Sequence, residues 1–569
     1  MEEKAKINGG DVLIKCLLVE NVKYMFGIIG GQFLNMFDAI YRWGREQGIE
    51  TVMFRHEQAA AHAADAWARL TNTPGVCFGT AGPGATDLVP GVAAAWSDNI
   101  PLVAIINQVN SRFDDSFTLQ GNLDQITMFK PITKYQRSIR DIEKIPDAVQ
   151  KAFREAIGGR SRPVLLELVE DAFLGELEED QVSINPPISY RSLSKPAISN
   201  DLINKSIDLL MKAEKPLIIS GGGIARAEAW NELQEFAEFL QIPVITSIMG
   251  IGTISNKSKC LVDSSIQGFG KEISYQADII LALGTKFSFT LGHGDEPFFK
   301  DSQKMIQVDI DPSIIGRAKP ITLGIEGDCK IYLEQVLEEV KKIGKVEKRD
   351  WTEQVFEMKQ KYIDDFMKKA LKEKIPIIPQ RMVKEVLEFM DEDAILVVDG
   401  GDIACFTVEQ INLHKPRPPL STLISIGMGH LGTSIPYAIG AKLAKPNKQV
   451  IAIVGDGSFL FNIQDLETAV RLGLKNMTFI IANNRAWGMI KSCQGKYMKK
   501  RFIDVDLPDF DFAKCAEGFN CYGETVIDPN EIKPALERAR NSNKPAVINI
   551  KIAQVMSDGT KLMASMGIL

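Results

Sequence analysis

The chain has 569 residues, of which 45% are apolar, and its 66 lysine and arginine residues against 73 aspartate and glutamate residues give a formal charge of −7. This composition excludes a disordered chain and leaves no basic excess for binding nucleic acid. The charged N-terminal residues do not have the pattern of a signal peptide, and no stretch reaches the ~20 apolar residues of a membrane span. No cysteines form a CxxC pair. We therefore expect a globular cytoplasmic protein with no membrane partner.

Short β-branched runs alternate with amphipathic helical runs along the whole chain, which predicts the α/β class with parallel sheets flanked by helices. In chain order, the predicted strands are residues 51–54, 103–106, 164–168, 217–220, 279–283, 306–310, 395–398, 450–454 and 478–482. Two stretches with weak patterns interrupt the alternation. They divide the chain into three predicted doubly wound parallel-sheet domains, at residues 1–185, 186–345 and 365–569, with a linker at 346–364.

Two strand ends in the third domain carry the clearest chemical signal. The run Gly455-Asp456-Gly457-Ser458 follows one strand, and Asn483-Asn484 follows the next, after a helix predicted at about 462–472. The crossover makes the strands parallel, so Asp456 and Asn484 should share one sheet edge. A carboxylate and an amide oxygen suit Mg²⁺ when a diphosphate supplies further ligands, and a helix start favours phosphate.

This segment resembles the thiamine diphosphate motif, which begins with GDG and ends with NN. The resemblance implies that Asp456 and Asn484 bind Mg²⁺ through their side chains and Ala486 through its carbonyl group. The cofactor-binding residues that it implies in this region are Gly455, Asp456, Gly457, Ser458, Asn484, Gly488 and Met489.

The first domain contains the segment Arg55-His56-Glu57-Gln58, which resembles the RHEx segment of the acetohydroxyacid synthase-like superfamily. The resemblance implies that Glu57 protonates N1′ of the cofactor's aminopyrimidine ring; the alternative is a glutamate that stabilises a helix start. Residues 80–86, TAGPGAT, resemble the SGPGATN loop of the same superfamily, with Asp87 where asparagine is usual.

Two further segments resemble cofactor-binding turns of this superfamily. In residues 427–432, GMGHLG, Gly429 would offer its carbonyl group to the 4′-amino group, and Leu431 stands where a methionine usually supports the bent cofactor. Residues 399–403, DGGDI, match the loop that binds the diphosphate. Asp402 stands where the family often has glutamine. Because an acid near phosphates is electrostatically unfavourable, its side chain should point away from them. The cofactor-binding residues implied outside the GDG motif are Gly31, Gly401, Asp402, Ile403, Gly429 and Leu431.

The resemblance covers nearly the whole chain and assigns a role to each domain. Residues 1–185 would bind the pyrimidine, 186–345 would form a central nucleotide-binding-like domain, and 365–569 would bind the diphosphate and Mg²⁺. In that superfamily the glutamate and the diphosphate site come from different subunits. A homodimer or a homotetramer is therefore implied.

The central domain and the tail favour one branch of the superfamily. Residues 284–294 place Thr290 at the second arginine of the synthase pattern and look closer to the GARLNWxLxHG segment of oxalyl-CoA decarboxylases and 2-hydroxyacyl-CoA lyases. The tail from Met556 onward would form a lid over the site or a frayed terminus. The candidate residues for ADP, CoA or FAD in the central domain are Gly221, Gly222, Gly223, Lys286 and Asp309, with a bare structural turn as the alternative.

Other residues look synthase-like. Gly30-Gly31 match the synthases, and Gln120 resembles the active-site glutamine of their FQE segment. Gln32 would place an amide near the reacting carbon. The alternative for either glutamine is that it only forms hydrogen bonds with nearby backbone groups. The leading hypothesis is a thiamine diphosphate- and Mg²⁺-dependent lyase or carboligase of the 2-hydroxyacyl-CoA lyase or oxalyl-CoA decarboxylase type, acting on an acyl-CoA. The alternative is an acetolactate synthase-like carboligase joining 2-oxo acids. A flavin-linked 2-oxo acid oxidase and an inactive nucleotide-binding relative are further alternatives.

Overall fold

A computed structural model of the chain describes residues 5–121, 123–192, 194–263, 269–411 and 417–567. The predicted α/β class is confirmed, because these residues form three six-stranded sheets in which all neighbouring strands are parallel, flanked by helices. Each of the nine predicted strands coincides with an observed one. Parallel sheets are covered on both faces, and this explains why their strands were recognisable as short, continuous apolar runs.

The first sheet has the strand order β3-β2-β4-β5-β7-β6, and β1 pairs with β8 in a separate antiparallel ladder. The strands are β1 (Lys6–Asn8), β2 (Tyr24–Gly27), β3 (Glu50–Met53), β4 (Gly75–Gly79), β5 (Leu102–Gln108), β6 (Gln136–Ile139), β7 (Val164–Val169) and β8 (Glu176–Glu178). The helices in this part are α1 (Gly9–Val19), α2 (Leu34–Ala39), α3 (Glu57–Thr71), α4 (Pro83–Asp98), α5 (Gln125–Phe129), α6 (Ile145–Ile157) and α7 (Glu170–Leu174).

The second sheet has the strand order β11-β10-β9-β12-β13-β14, which is the order of dinucleotide-binding sheets. Its strands are β9 (Pro216–Ser220), β10 (Val244–Thr246), β11 (Leu261–Asp263), β12 (Ile279–Leu283), β13 (Lys304–Asp309) and β14 (Leu323–Glu326). The helices in this part are α8 (Asn200–Met211), α9 (Gly222–Arg226), α10 (Trp230–Leu240), α11 (Lys271–Gln276), α12 (Cys329–Ile343) and α13 (Asp350–Ala370).

The third sheet has the strand order β16-β15-β17-β18-β20-β19, so its strands follow one another in the same spatial sequence as those of the first sheet. Its strands are β15 (Ile395–Asp399), β16 (Thr422–Ile424), β17 (Val450–Gly455), β18 (Met477–Asn483), β19 (Tyr522–Val526) and β20 (Ala546–Lys551). The helices in this part are α14 (Pro379–Phe389), α15 (Asp402–Gln410), α16 (Ser434–Ala444), α17 (Asp456–Phe459), α18 (Leu466–Arg471), α19 (Gly488–Tyr497), α20 (Phe512–Gly518), α21 (Ile532–Asn541) and α22 (Asp558–Ser565).

The chain divides into two compact units that do not follow the three sheets. The first unit contains Met1–Ser194, Ser425–Pro446 and Asn462–Leu472, and therefore includes α16 and α18 beside the first sheet. The second unit contains Lys195–Ile424, Asn447–Phe461 and Gly473–Leu569, with the second and third sheets. Among the residues that the structure describes, no helix is long and apolar enough to cross a membrane.

The interval 346–364, which the sequence predicts as a linker, is mostly helical because α13 begins at Asp350. Trp351 and Val355 of this helix are buried in an apolar cluster of the central part of the chain. Their spacing of four residues puts both on one face of the helix. Many charged residues on the other faces account for the linker-like appearance of this stretch.

Candidate functional site

The two polar strand ends predicted in the third domain meet at one sheet edge. Gly455 of β17 lies opposite Ala482 of β18, so the residues that follow these two parallel strands are neighbours. Asp456 is 4% exposed and accepts the N–H groups of Gly457, at 2.9 Å, and Arg485, at 2.7 Å. The side-chain oxygen of Asn484 accepts the N–H group of Ala486 at 3.1 Å. The other two predicted metal ligands, Asn484 and Ala486, thus flank Arg485, whose N–H group bonds the Asp456 carboxylate.

The Asp456 carboxylate has the environment of a cation ligand. Burial raises its pKa, and hydrogen bonds from backbone N–H groups act in the opposite direction. Within the described part of the chain, Asp456 forms no ion pair that would offset the loss of solvation. A buried carboxylate near an asparagine amide and backbone carbonyl groups fits Mg²⁺, which prefers hard oxygen ligands and would supply the missing positive charge.

Two glycines of the predicted diphosphate site, Gly401 and Gly457, pack closely against other side chains. A Cβ atom at Gly401 would lie 3.2 Å from Met489, and one at Gly457 would lie 2.7 Å from the ring of Trp487. The second unit holds ten of the predicted cofactor-binding residues at the ends of β15, β17 and β18 or in the helices that follow: Gly401, Asp402, Ile403, Gly455, Asp456, Gly457, Ser458, Asn484, Gly488 and Met489. These residues therefore gather at the carboxyl edge of the sheet, which is where parallel α/β sheets bind ligands.

Asp402 joins the diphosphate loop to the C-terminal helix. Its Oδ1 atom accepts hydrogen bonds from the N–H group of Ser557 at 3.1 Å, from the Ser557 hydroxyl at 2.7 Å and from the hydroxyl of Thr560. The Oδ1 atom is thus committed to the tail, and the expectation that an acid here avoids the phosphates stays a prediction. Leu562 and Met566 of the tail pack against the central apolar cluster, so the described tail is seated rather than frayed. The last two residues, 568 and 569, lie outside the described part.

Glu57 is the first residue of α3 and is 8% exposed. Burial raises its pKa, nearby Asp87 acts in the same direction, and His56 acts in the opposite direction. One ligand atom from each of these three side chains lies within 4.8 Å of the others. A Cβ atom at Gly84 would lie 3.1 Å from Oε1 of Glu57, so the glycine loop packs directly on the carboxyl group. Such a carboxyl group is suited to holding a proton for a ligand nitrogen.

The two predicted catalytic glutamines contact each other. Nε2 of Gln32 donates to Oε1 of Gln120 at 2.8 Å, and the hydroxyl of Thr80 donates to Oε1 of Gln32. A Cβ atom at Gly84 would lie 3.0 Å from the Thr80 methyl group, and Gly84 also contacts the catalytic candidate Glu57. Glu57 and the glutamine pair therefore flank the same glycine loop. Gly31, predicted as a cofactor residue, is exposed beside Gln32.

The turn that carries Gly429 and Leu431 belongs to the first unit. Gly429 has φ +65° and is exposed, which leaves its backbone open, and Leu431 is half-buried. Asp98 accepts the N–H group of Gly427 at 2.8 Å and so holds the start of this turn. Its other carboxylate oxygen accepts from Arg69 at 2.8 Å. The turn is thus anchored to a buried charge cluster.

Sequence reasoning missed this cluster, which consists of Asp65, Arg69, Asp98 and Tyr437. Arg69 donates to Asp65 at 2.7 Å, and the hydroxyl of Tyr437 donates to Asp65 at 2.5 Å. The available signal was the pair Asp65 and Arg69, four residues apart in the alanine-rich helix α3, which places opposite charges on one face.

Replacement of Arg69 by methionine is expected to lower the free energy of unfolding by about 3–5 kcal/mol, because Asp65 and Asp98 would remain buried without their cation. Urea unfolding of the purified variant measures this change. Lys205→Met is the control, since it removes an exposed i,i+4 ion pair with Asp201 and should change stability by less than about 1 kcal/mol. Equal losses in the two variants would contradict the role assigned to the cluster.

The glycines at the start of α9 have a packing role in the central domain. A Cβ atom at Gly221 would lie 2.1 Å from the carbonyl oxygen of Gly284, and one at Gly223 would lie 2.6 Å from its Cα atom. The N–H group of Gly223 donates to the Gly284 carbonyl at 3.0 Å. These contacts bring β9 and β12 close together, so they explain both glycines without a nucleotide.

The remaining nucleotide candidates lie at the ends of neighbouring strands. Lys286 is exposed after β12, and Oδ1 of Asp309 at the end of β13 accepts the N–H group of Asp311 at 2.9 Å. A Cβ atom at Gly222 would lie 3.0 Å from Met249. The strand order is one that binds dinucleotides at such an edge. ADP, CoA or FAD in this domain stays a prediction.

Comparison with known proteins gives matches along nearly the whole chain. The N-terminal TPP binding domain of thiamine pyrophosphate enzymes matches residues 7–128, the central domain matches 203–336, and the C-terminal TPP binding domain matches 402–550. The chain is 35% identical over 559 residues to a probable acetolactate synthase large subunit of Methanocaldococcus jannaschii, covering 96% of this chain and 92% of the relative. It is 32% identical over 576 residues to the acetolactate synthase large subunit of Corynebacterium glutamicum, covering 96% and 87%.

Proposed function

The chain belongs to the thiamine pyrophosphate enzymes that form carbon–carbon bonds, and on this basis we propose that it joins two 2-oxo acids with loss of CO₂, as an acetolactate synthase-like carboligase. The observation that carries the proposal is the similarity to acetolactate synthase large subunits over 96% of the chain. Gly30-Gly31 and Gln120 agree with it. The leading sequence hypothesis, a lyase acting on an acyl-CoA, rested on the central segment around Thr290 and on the tail, and it gains no support from these relatives.

The third sheet would hold the diphosphate through a divalent cation. Asp456 and Asn484 would bind Mg²⁺ by side-chain oxygen atoms and Ala486 by its carbonyl group, at the edge where helices begin. The positive charge would offset the burial of Asp456. Thiamine diphosphate, when bound, supplies the nucleophilic carbon and the electron sink for decarboxylation.

Glu57 would hold a proton at its carboxyl group and share it with N1′ of the aminopyrimidine. Its burial raises its pKa, so the proton is retained closer to neutral pH than on a solvated glutamate. The glycine loop next to Glu57 would exclude water from this proton. In the assembly that we infer, at least a homodimer, Glu57 of one copy serves the diphosphate site of another; a homotetramer would repeat this arrangement.

A comparison of substrates tests the proposed reaction. Purified protein with thiamine diphosphate and Mg²⁺ is incubated with pyruvate alone and, separately, with formyl-CoA plus an aldehyde. We expect acetolactate and CO₂ from pyruvate, and no acyl-CoA consumption. Consumption of formyl-CoA with no acetolactate from pyruvate would instead support the lyase, and oxidation of pyruvate with reduction of added FAD would support the oxidase.

A further inference from the structure

Gln32 lies between Thr80 and Gln120 in a chain of hydrogen bonds. The Thr80 hydroxyl donates to Oε1 of Gln32, which leaves Nε2 of Gln32 as a donor, and this donor bonds Oε1 of Gln120. In the structure the hydrogen bonds run from Thr80 through Gln32 to Gln120. The free end of this chain is the NH₂ group of Gln120, for which no acceptor is found within the described residues.

The backbone around Gln120 holds this residue in an unusual position. Gln120 has φ +65°, in the left-handed region that non-glycine residues rarely adopt. Gly82 makes room for it, since a Cβ atom at Gly82 would lie 3.2 Å from the Cα atom of Gln120 and 3.3 Å from its Cβ atom. The N–H group of Gly82 donates to Gln125 at 2.9 Å, which fixes the loop from the other side. Strain of this kind persists where the surroundings enforce it, and it is common at functional sites.

The pair lies at the site and is open to a ligand. Gln32, Thr80 and Gln120 are all half-buried. Thr80 flanks Gly84, the residue that contacts Glu57. An NH₂ group fixed near the catalytic carboxyl group is suited to an oxygen acceptor, and the carboxylate of a 2-oxo acid is the strongest acceptor that the proposed substrates offer.

We propose that Gln32 is a positioning residue, which fixes the amide of Gln120 so that its NH₂ group binds the carboxylate of a 2-oxo acid. This inference rests on the proposed function. Gln32 acts through Gln120 and does not itself touch the substrate.

The test is a double-mutant cycle with Gln32→Met, Gln120→Met and the double variant. Methionine matches the length of glutamine and removes its hydrogen bonds. We expect Gln32→Met to raise KM for pyruvate about 10- to 100-fold with a smaller change in kcat. In the Gln120→Met background the same change should have no further effect, because a residue that acts through Gln120 has nothing left to orient. Additive losses would overturn the proposal, since they would mean that Gln32 acts independently.

A binding measurement and a control separate this proposal from its premise. Titration with oxamate, a non-reacting analogue of pyruvate, should show weaker binding to Gln32→Met with unchanged uptake of thiamine diphosphate. Gln47→Met, at an exposed position of the same domain, should behave as the wild type. If the wild-type protein makes no acetolactate, the proposed function fails; if it does and Gln32→Met has wild-type KM and oxamate affinity, only the role of Gln32 fails.

Discussion

Replacement of Glu57 by glutamine is expected to reduce turnover by about 10²–10⁴-fold and to leave thiamine diphosphate binding largely intact. Glutamine has nearly the same size as glutamate, so α3 and the loop at Gly84 should keep their positions. Its amide cannot exchange a proton with the aminopyrimidine nitrogen. Steady-state kcat with pyruvate and the cofactor dissociation constant, measured on the same preparation, give the two quantities.

Asp87→Asn is the matched control, because it removes a neighbouring charge and keeps Glu57. Burial is the main cause of the raised pKa of Glu57, and the charge of Asp87 adds to it. Without that charge the pKa of Glu57 falls, so the limb of the kcat/KM profile that reports Glu57 should move to lower pH, while turnover persists. Full activity of Glu57→Gln would contradict the assigned role, and so would an Asp87→Asn variant as inactive as Glu57→Gln.

Replacement of Asp456 by asparagine should remove the stabilisation that thiamine diphosphate and Mg²⁺ give to the protein. At about 100 times its Kd a ligand adds about 2.7 kcal/mol to stability, and this gain disappears when the affinity falls below the ligand concentration used. The melting temperature, measured with and without cofactor and Mg²⁺, gives the difference directly. One of the two backbone N–H groups that the Asp456 oxygens accept loses its acceptor in the variant, so the rise of each protein is measured from its own melting temperature without cofactor.

Asp504→Asn is the control for this measurement, since Asp504 is an exposed acid in the same unit. It should retain the full rise in melting temperature. If cofactor and Mg²⁺ raise the melting temperature of Asp456→Asn as much as that of the wild type, the cation is held elsewhere, for example at the group formed by His56, Glu57 and Asp87.

The sequence was sufficient to predict two features: the strands, which depend on local pattern, and the proximity of Asp456 and Asn484, which depends on the crossover between β17 and β18. The strands were recognisable because both faces of a parallel sheet are buried, and the proximity of Asp456 and Asn484 followed from the parallel direction of β17 and β18. The strand order within the sheets was not predictable, because it depends on packing between distant segments. The similarity of the first and third sheets therefore emerged only in the structure.

Contacts between distant residues account for what was missed. Gln32 and Gln120 are 88 residues apart, and Asp402 and Ser557 are 155 apart, so no local pattern links them. The lyase hypothesis gave weight to the central segment around Thr290 and to the tail, whereas similarity over the whole chain favours the synthases.

Calorimetric titration of the purified chain with thiamine diphosphate will show whether the ends of β17 and β18 hold the cofactor through a divalent cation. The titration is run in buffer containing Mg²⁺ and again with the cation removed by EDTA. We expect saturable uptake of one cofactor per chain in the first buffer and a large loss of affinity in the second. Equal affinity in both buffers, or no uptake with Mg²⁺ present, would contradict this expectation.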